Sequence, residues 1–239
     1  MSKGSIEHVI PRWAGRVLLA LPSTGRTRGG KRMTHRFTPG PDDPDPGYEW
    51  ESDEPSLTTA AVCLDCNNGW LGKLENQVSS IAKPLLLGEA QALDAGDQRC
   101  IATWSYKTAL MLQLVRRPSL RVIPEQRFSE LYRLGRPPHD VRVWLGSPGN
   151  ASAVHEASAE IRLAGRDLAV PGFFTAFALG RLLVLCAGRL VPDPELIRPG
   201  STVNARITVE VWPASLRPVY WPPTQSVEDL RPSSLVQLL

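Results

Sequence analysis

The sequence predicts an α+β protein, and three observations carry that reading. A Gly- and Pro-rich opening third holds short β-branched runs, a middle stretch spaces its apolar residues at three and four, and short β-prone runs dominate beyond Pro137-Pro138. With 239 residues, 42% of them hydrophobic, the chain can fill a buried core in one large domain or two modest ones.

Taken in order, the first elements are short. Pro22, Gly25, Gly29-Gly30, Pro39-Gly40-Pro41, Pro44 and Pro46-Gly47 mark 21–47 as loop, with one short strand over 31–38. Thr58, Thr59 and Val62 supply a second strand over 57–63. From Asn67, the series Trp70, Leu71, Leu74, Val78, Ile81 traces one helix face, and Pro84 predicts its end near Lys83.

A second helix is predicted over 97–115, where Ile101, Trp104, Ala109 and Leu112 give a broad apolar stripe that ends at Arg116-Arg117-Pro118. A third opens at Pro124, carries Phe128, Leu131 and Leu134, and closes at Gly135. Strands follow at 141–145, 159–163, 173–179, 181–187 and 203–212, with Gly180-Arg181 turning a hairpin. The chain thus divides into an opening module (1–90), an α+β region (91–223) and a polar tail (224–239) that is either partly disordered or docked on the body. No internal repeat is present.

Charge and cysteine usage narrow the class. The net charge of +3 says little alone, but Lys3, Arg12, Arg16, Arg26, Arg28, Lys31, Arg32 and Arg36 precede an acidic block from Asp42 to Glu54. A basic arm of this kind can neutralise phosphates; two solvated loops are the plainer alternative. The longest apolar run, 173–188, is broken by Gly180 and Arg181, short of the ~20 residues a membrane helix needs. The start shows no secretory pattern, so a soluble, cytoplasmic protein is expected. Cys63 and Cys66 are closely spaced whereas Cys100 and Cys186 stand alone, which suits a metal knuckle and two core thiols better than a disulfide framework.

Two segments carry chemistry. In Glu7-His8-Val9-Ile10-Pro11 a carboxylate stands beside an imidazole whose ordinary pKa, about 6.5, suits proton transfer at neutral pH. In Cys63-Leu64-Asp65-Cys66-Asn67-Asn68-Gly69-Trp70 two thiols supply half of a tetrahedral zinc site. Asn67 or Asn68 can cap the following helix or face a hard cation, and Trp70 is expected to pack the helix on the core. His35, His139 and His155 read as surface residues. Neither a nucleophile elbow nor a phosphate-cradling Gly-x-x-x-x-Gly-Lys-Ser/Thr loop occurs.

Together the two segments resemble the HNH endonuclease family with its ββα-metal fold. Glu7-His8-Val9-Ile10-Pro11-Arg12-Trp13 and Cys66-Asn67-Asn68-Gly69-Trp70 look like a group of bacterial HNH-like proteins of unassigned role, and the likeness in the nuclease motif covers Lys3 to about Glu75. The resemblance implies an N-terminal ββα-metal module followed by helices and an antiparallel sheet. It makes His8 the general base against a phosphodiester of DNA, and Glu7 and Asn67 the ligands of one Mg²⁺ or Mn²⁺ ion. Cys63 and Cys66 would belong to a separate structural Zn²⁺, and Arg12, Lys31 and Arg32 would meet the nucleic acid. Neither a membrane nor a small-molecule cofactor is expected.

The chain departs from the family pattern in two places. Relatives carry another Cys-x-x-Cys ahead of the Glu-His pair, whereas six residues precede Glu7 here. The missing ligands are expected from a gene start lying further upstream; decay of the zinc site, or completion by His35 or Cys100, are the alternatives. Glu7 also replaces the usual aspartate, moving the carboxylate by roughly 1 Å, a distance that matters in catalysis. A degenerate scaffold that binds nucleic acid without cleaving it is therefore the second reading, and a partner-binding role for the C-terminal half the third.

Overall fold

The computed structural model describes residues 4–21, 33–37, 48–52, 57–116, 118–150, 152–163, 170–191, 206–230 and 234–235. Strand β1 (Gly4–His8) leads into α1 (Arg12–Ala20), followed by β2 (Met33–Phe37), β3 (Tyr48–Ser52) and β4 (Thr58–Cys63). A short α2 (Leu64–Cys66) and a π-helical turn (Asn67–Leu71) run into α3 (Gly72–Leu87). Next come β5 (Gln91–Leu93), α4 (Ala95–Val115), a 3₁₀ turn (Pro118–Leu120) and α5 (Gln126–Leu134). The last third is strand: β6 (Arg142–Gly146), β7 (Ser152–Leu163), β8 (Val170–Gly180), β9 (Leu182–Arg189), β10 (Thr208–Trp212) and β11 (Val219–Trp221). Helices and antiparallel sheets make this an α+β protein, as the sequence predicts.

Three two-stranded pairs, β1–β4, β2–β3 and β5–β11, accompany one five-stranded antiparallel sheet ordered β10-β6-β9-β8-β7. Successive side chains of β8 and β9 face opposite sides of that sheet. Phe173, Phe177, Val184 and Cys186 join the main core; Phe174, Ala176, Leu183 and Leu185 form a second cluster with Trp144, Val227 and Leu235. Both faces being covered, the whole of β9 and most of β8 is buried, which explains the long apolar run in the sequence. No helix among the described residues is long and apolar enough to cross a membrane.

Helix α4 is the axis of the main core. From Ile101 to Gln113 it is buried on every side, Ile101, Trp104, Leu110 and Leu112 together with the polar Ser105, Lys107, Thr108 and Gln113, and Gln98 is buried ahead of them. A capping box starts it two residues ahead of the expected Asp97: Asp94 Oδ1 accepts from the amides of Gly96 (2.7 Å) and Asp97 (2.8 Å), and Asp97 Oδ2 accepts from the Asp94 amide (3.4 Å). The main core is continuous from Val9, Ala14 and Leu18 through Leu74, Val78 and Leu86 to Val143, Phe177 and Trp221. It therefore runs across the boundary expected at residue 90.

Helix α3 does not end near Lys83, as its proline suggests. It continues through Pro84 to Leu87, because burying Leu85 and Leu86 completely offsets the one backbone bond a proline removes. It ends at Gly88, whose φ of 84° lets its amide reach Leu85 O (3.1 Å) while the Glu89 amide reaches Pro84 O (2.9 Å). The Gly180-Arg181 turn forms as predicted and seats on that helix end. Arg181 N donates to Leu86 O at 2.9 Å, and a Cβ on Gly180, with φ of 58°, would lie 2.5 Å from the same oxygen.

Two further anchors fasten the C-terminal half. Arg127 of α5 is fully buried and donates to Asp140 (3.0 Å), Glu130 (2.8 Å) and Arg189 O (2.6 Å), tying α5 to β9. Burial opposes its charge, but the Asp140 hydrogen bond, the charges of Tyr106 and Asp140 and the Glu130 hydrogen bond together outweigh that and raise its pKa. The C-terminal tail docks on the body at one point at least: Val227 N donates to Ser147 O (2.8 Å) and Gly149 N to Val227 O (2.9 Å).

Candidate metal and nucleic-acid site

The two chemistry-bearing segments meet as paired strands. β1 runs antiparallel to β4, with Gly4 opposite Cys63, Ser5 opposite Val62, Glu7 opposite Thr59 and His8 opposite Thr58. Val9 N extends the pairing to Leu57 O at 2.8 Å. The register explains why residues some fifty positions apart in sequence belong to one local unit.

Neighbours on a strand face opposite ways, and Glu7 and His8 obey that rule. Glu7 turns inward and is 5% exposed. Its Oε1 accepts from Lys107 Nζ at 2.9 Å; the same ammonium donates to Glu75 Oε1, also at 2.9 Å. The Lys107 side chain is wholly buried, Glu7 nearly so, and Glu75 retains 23% exposure. Two carboxylates from β1 and α3 thus share one cation from α4, a necessary arrangement because an isolated charge in this interior would carry a large desolvation cost.

His8 turns the other way and is half-buried. Arg12, on the first turn of α1, holds its Nε 3.4 Å from His8 Nε2. In this geometry the guanidinium donates and the ring nitrogen Nε2 accepts. Arg12 itself is exposed, adjacent to the one imidazole a base would need.

Cys63 and Cys66 form a compact turn. The Cys66 amide donates to Cys63 Sγ at 3.1 Å, so the sulfur of Cys63, rather than Asn67 or Asn68, supplies the side-chain cap of this helix. Hydrogen bonding to Cys63 raises the Cys66 thiol pKa, with burial and the Cys63 charge adding to the effect. Neither cysteine is in a disulfide, and both are half-buried. Asn67, half-buried, opens the π-helical turn next to them, and Gly69 in that turn departs from helical geometry (φ −90°, ψ −107°). Trp70 packs against the core as expected, its ring centroid 5.9 Å from that of Tyr132.

Placement along the strand pair separates these groups into two ends. Cys63 lies opposite Gly4 and His8 opposite Thr58, about 13 Å apart along β1 at the usual strand rise. What α3 brings to Glu7 is Glu75, eight residues and about 12 Å of helix beyond Asn67. Among the described residues, no group of three or more His, Cys, Asp or Glu side chains is gathered as a metal site. Lys31 and Arg32 lie outside the described residues; His35 pairs with Trp50 in β2–β3, and its side chain lies outside them too.

Lys107 and Glu75 escaped the sequence reading. The signal was there, since Lys107 is the one charged residue between Ile101 and Val115 in a helix read as an apolar stripe. A lone cation on such a face requires a buried partner.

Compared with known proteins, the chain matches no family model, no curated protein and no solved structure.

Proposed function

We propose that the chain is a metal-dependent endonuclease of the HNH type that hydrolyses phosphodiester bonds in DNA. The observation that carries the reading is His8: a half-buried imidazole at the end of β1, next to an exposed arginine, in a strand paired with the one that feeds the Cys63-x-x-Cys66-Asn67 turn. An imidazole with a guanidinium in contact supplies the base and the cation that deprotonating water beside a phosphate requires.

In this reading His8 Nε2 leaves Arg12 and takes the proton of the attacking water, while the freed guanidinium meets the phosphate oxygens. The carboxylate of Glu7 and the amide oxygen of Asn67 are the hard donors that Mg²⁺ or Mn²⁺ would take, but Glu7 is held by Lys107 and Asn67 stands at the Gly4 end of the strand pair, so sharing one ion would require both to rearrange. When bound, such an ion supplies charge stabilisation at the scissile phosphate. Cys63 and Cys66 would hold a structural Zn²⁺ if two further ligands came from elsewhere. The test is cleavage of supercoiled plasmid with Mg²⁺ or Mn²⁺ by the wild-type protein and by His8→Ala.

A second reading, an HNH-like scaffold that binds nucleic acid without cutting it, draws on a specific observation. Lys107 already neutralises the carboxylate that the cation would need, and Asn67 belongs to the Gly4 end of the strand pair. Salt-sensitive gel-shift binding with no cleavage in any divalent metal distinguishes it.

A further inference from the structure

We propose that the cleft between α1 and the C-terminal turn of α3 binds a nucleotide unit of a nucleic-acid strand, with Arg16 and Lys83 on its phosphates and its base against Trp13. The proposal deepens the reading that the chain acts on nucleic acid. Trp13, Arg16, Val17, Lys83 and Leu87 line a cleft of about 310 Å³, within the range of small-ligand clefts.

Its chemistry is specific. Two cations flank an indole and two aliphatic side chains, and no carboxylate is among the described lining residues. Arg16 and Lys83 are exposed and make no ion pair among the described residues, so their charge faces outward uncompensated. Leu87 stays 41% exposed at the rim, an apolar surface that a sugar or base would cover. Aromatic faces flanked by cations are how proteins hold single strands, the ring stacking on a base while the cations follow the phosphates.

Position argues for a strand over a free nucleotide. Arg16 lies one turn beyond Arg12 on the same face of α1, about 6 Å along the axis, and Arg12 touches His8. The cleft therefore continues a line of cations leading away from the imidazole. Trp13 is braced from behind, its ring centroid 6.0 Å from that of the buried Trp104.

Fluorescence anisotropy with a labelled twelve-residue oligothymidylate, metal-free, tests the site on the full chain. Arg16→Gln with Lys83→Gln should weaken binding about tenfold and lower the slope of log K against log salt by about 1.4, two phosphate contacts on a single strand. Arg133→Gln, an exposed arginine of α5, should change neither. An abasic strand of equal charge should bind more weakly than oligothymidylate. Unchanged binding by the double variant, equal binding of the two strands, or no binding by wild type would overturn the proposal. So would displacement by equimolar thymidine 5′-monophosphate, which would assign the cleft to a free nucleotide. Plasmid cleavage by the same preparations reports separately on the nuclease reading, because both substitutions leave His8, Glu7 and Asn67 in place.

Discussion

Lys107 Nζ lies 2.9 Å from Glu7 Oε1, joining the middle of the central helix to the first strand across a hundred residues of sequence. Glu75 completes the group from α3, so three elements of the core are fastened by one buried cation. Removing that cation strands two carboxylates. Lys107→Met is expected to destabilise the protein by about 3–5 kcal/mol, and pairing it with Glu7→Gln to recover part of the loss. Urea denaturation of the single and double variants measures both. A single-variant change below about 1 kcal/mol would mean the ion pair does not bind the elements together.

Two buried groups make stability depend on alkaline pH. Burial raises the pKa of both Cys186 and Tyr106 far above their ordinary values of 9.0 and 10.0. Each therefore keeps its proton in the folded state while the unfolded chain loses it. The stability they contribute is full below pH 9.0 and falls as pH rises past 9.0 and then 10.0. Melting temperature should decline over that window. Tyr106→Phe should flatten the upper part of the decline and cost little at neutral pH, because the Tyr106 hydroxyl is buried without a hydrogen-bond partner. An unaltered profile in that variant would contradict the assignment.

The β8–β9 turn should tolerate no side chain. Gly180→Ala meets both a left-handed backbone and the Leu86 carbonyl, and is expected to cost about 1–3 kcal/mol in thermal or urea unfolding. A neutral substitution would show that the hairpin does not rest on the end of α3 in solution.

A zinc role for the cysteine turn has its own readout. If Cys63 and Cys66 hold structural Zn²⁺, added zinc should raise the melting temperature of wild type and leave Cys63→Ser/Cys66→Ser unchanged. Equal shifts in both would place the binding elsewhere.

Much of the architecture was legible because it rests on local signals. The β8–β9 hairpin showed in Gly180-Arg181 between apolar runs, and the end of α5 in Gly135, whose φ of 60° is the left-handed cap such a glycine supplies. Elements held by tertiary packing were not legible. Helix α1 has nine residues and no charged or polar cap to announce it, and it forms because Ala14 and Leu18 are buried in the core. Pro84 reads as a stop until Leu85 and Leu86 are seen to be buried beyond it. At the candidate site, Glu7, His8 and the cysteine turn could be found as motifs, whereas the Glu7 partner came from a lysine whose meaning lies in its burial. The pairing of β1 with β4 bridges fifty residues and has no local sequence mark.

The central claim is that His8 acts as a base in metal-dependent hydrolysis, and its most direct measurement is the rate at which wild type and His8→Ala nick supercoiled plasmid in Mg²⁺ or Mn²⁺. The expected result is cleavage by wild type that falls about 100-fold or more in the variant, the usual worth of a general base. Equal rates in the two proteins, or no cleavage by wild type in either metal, would contradict it.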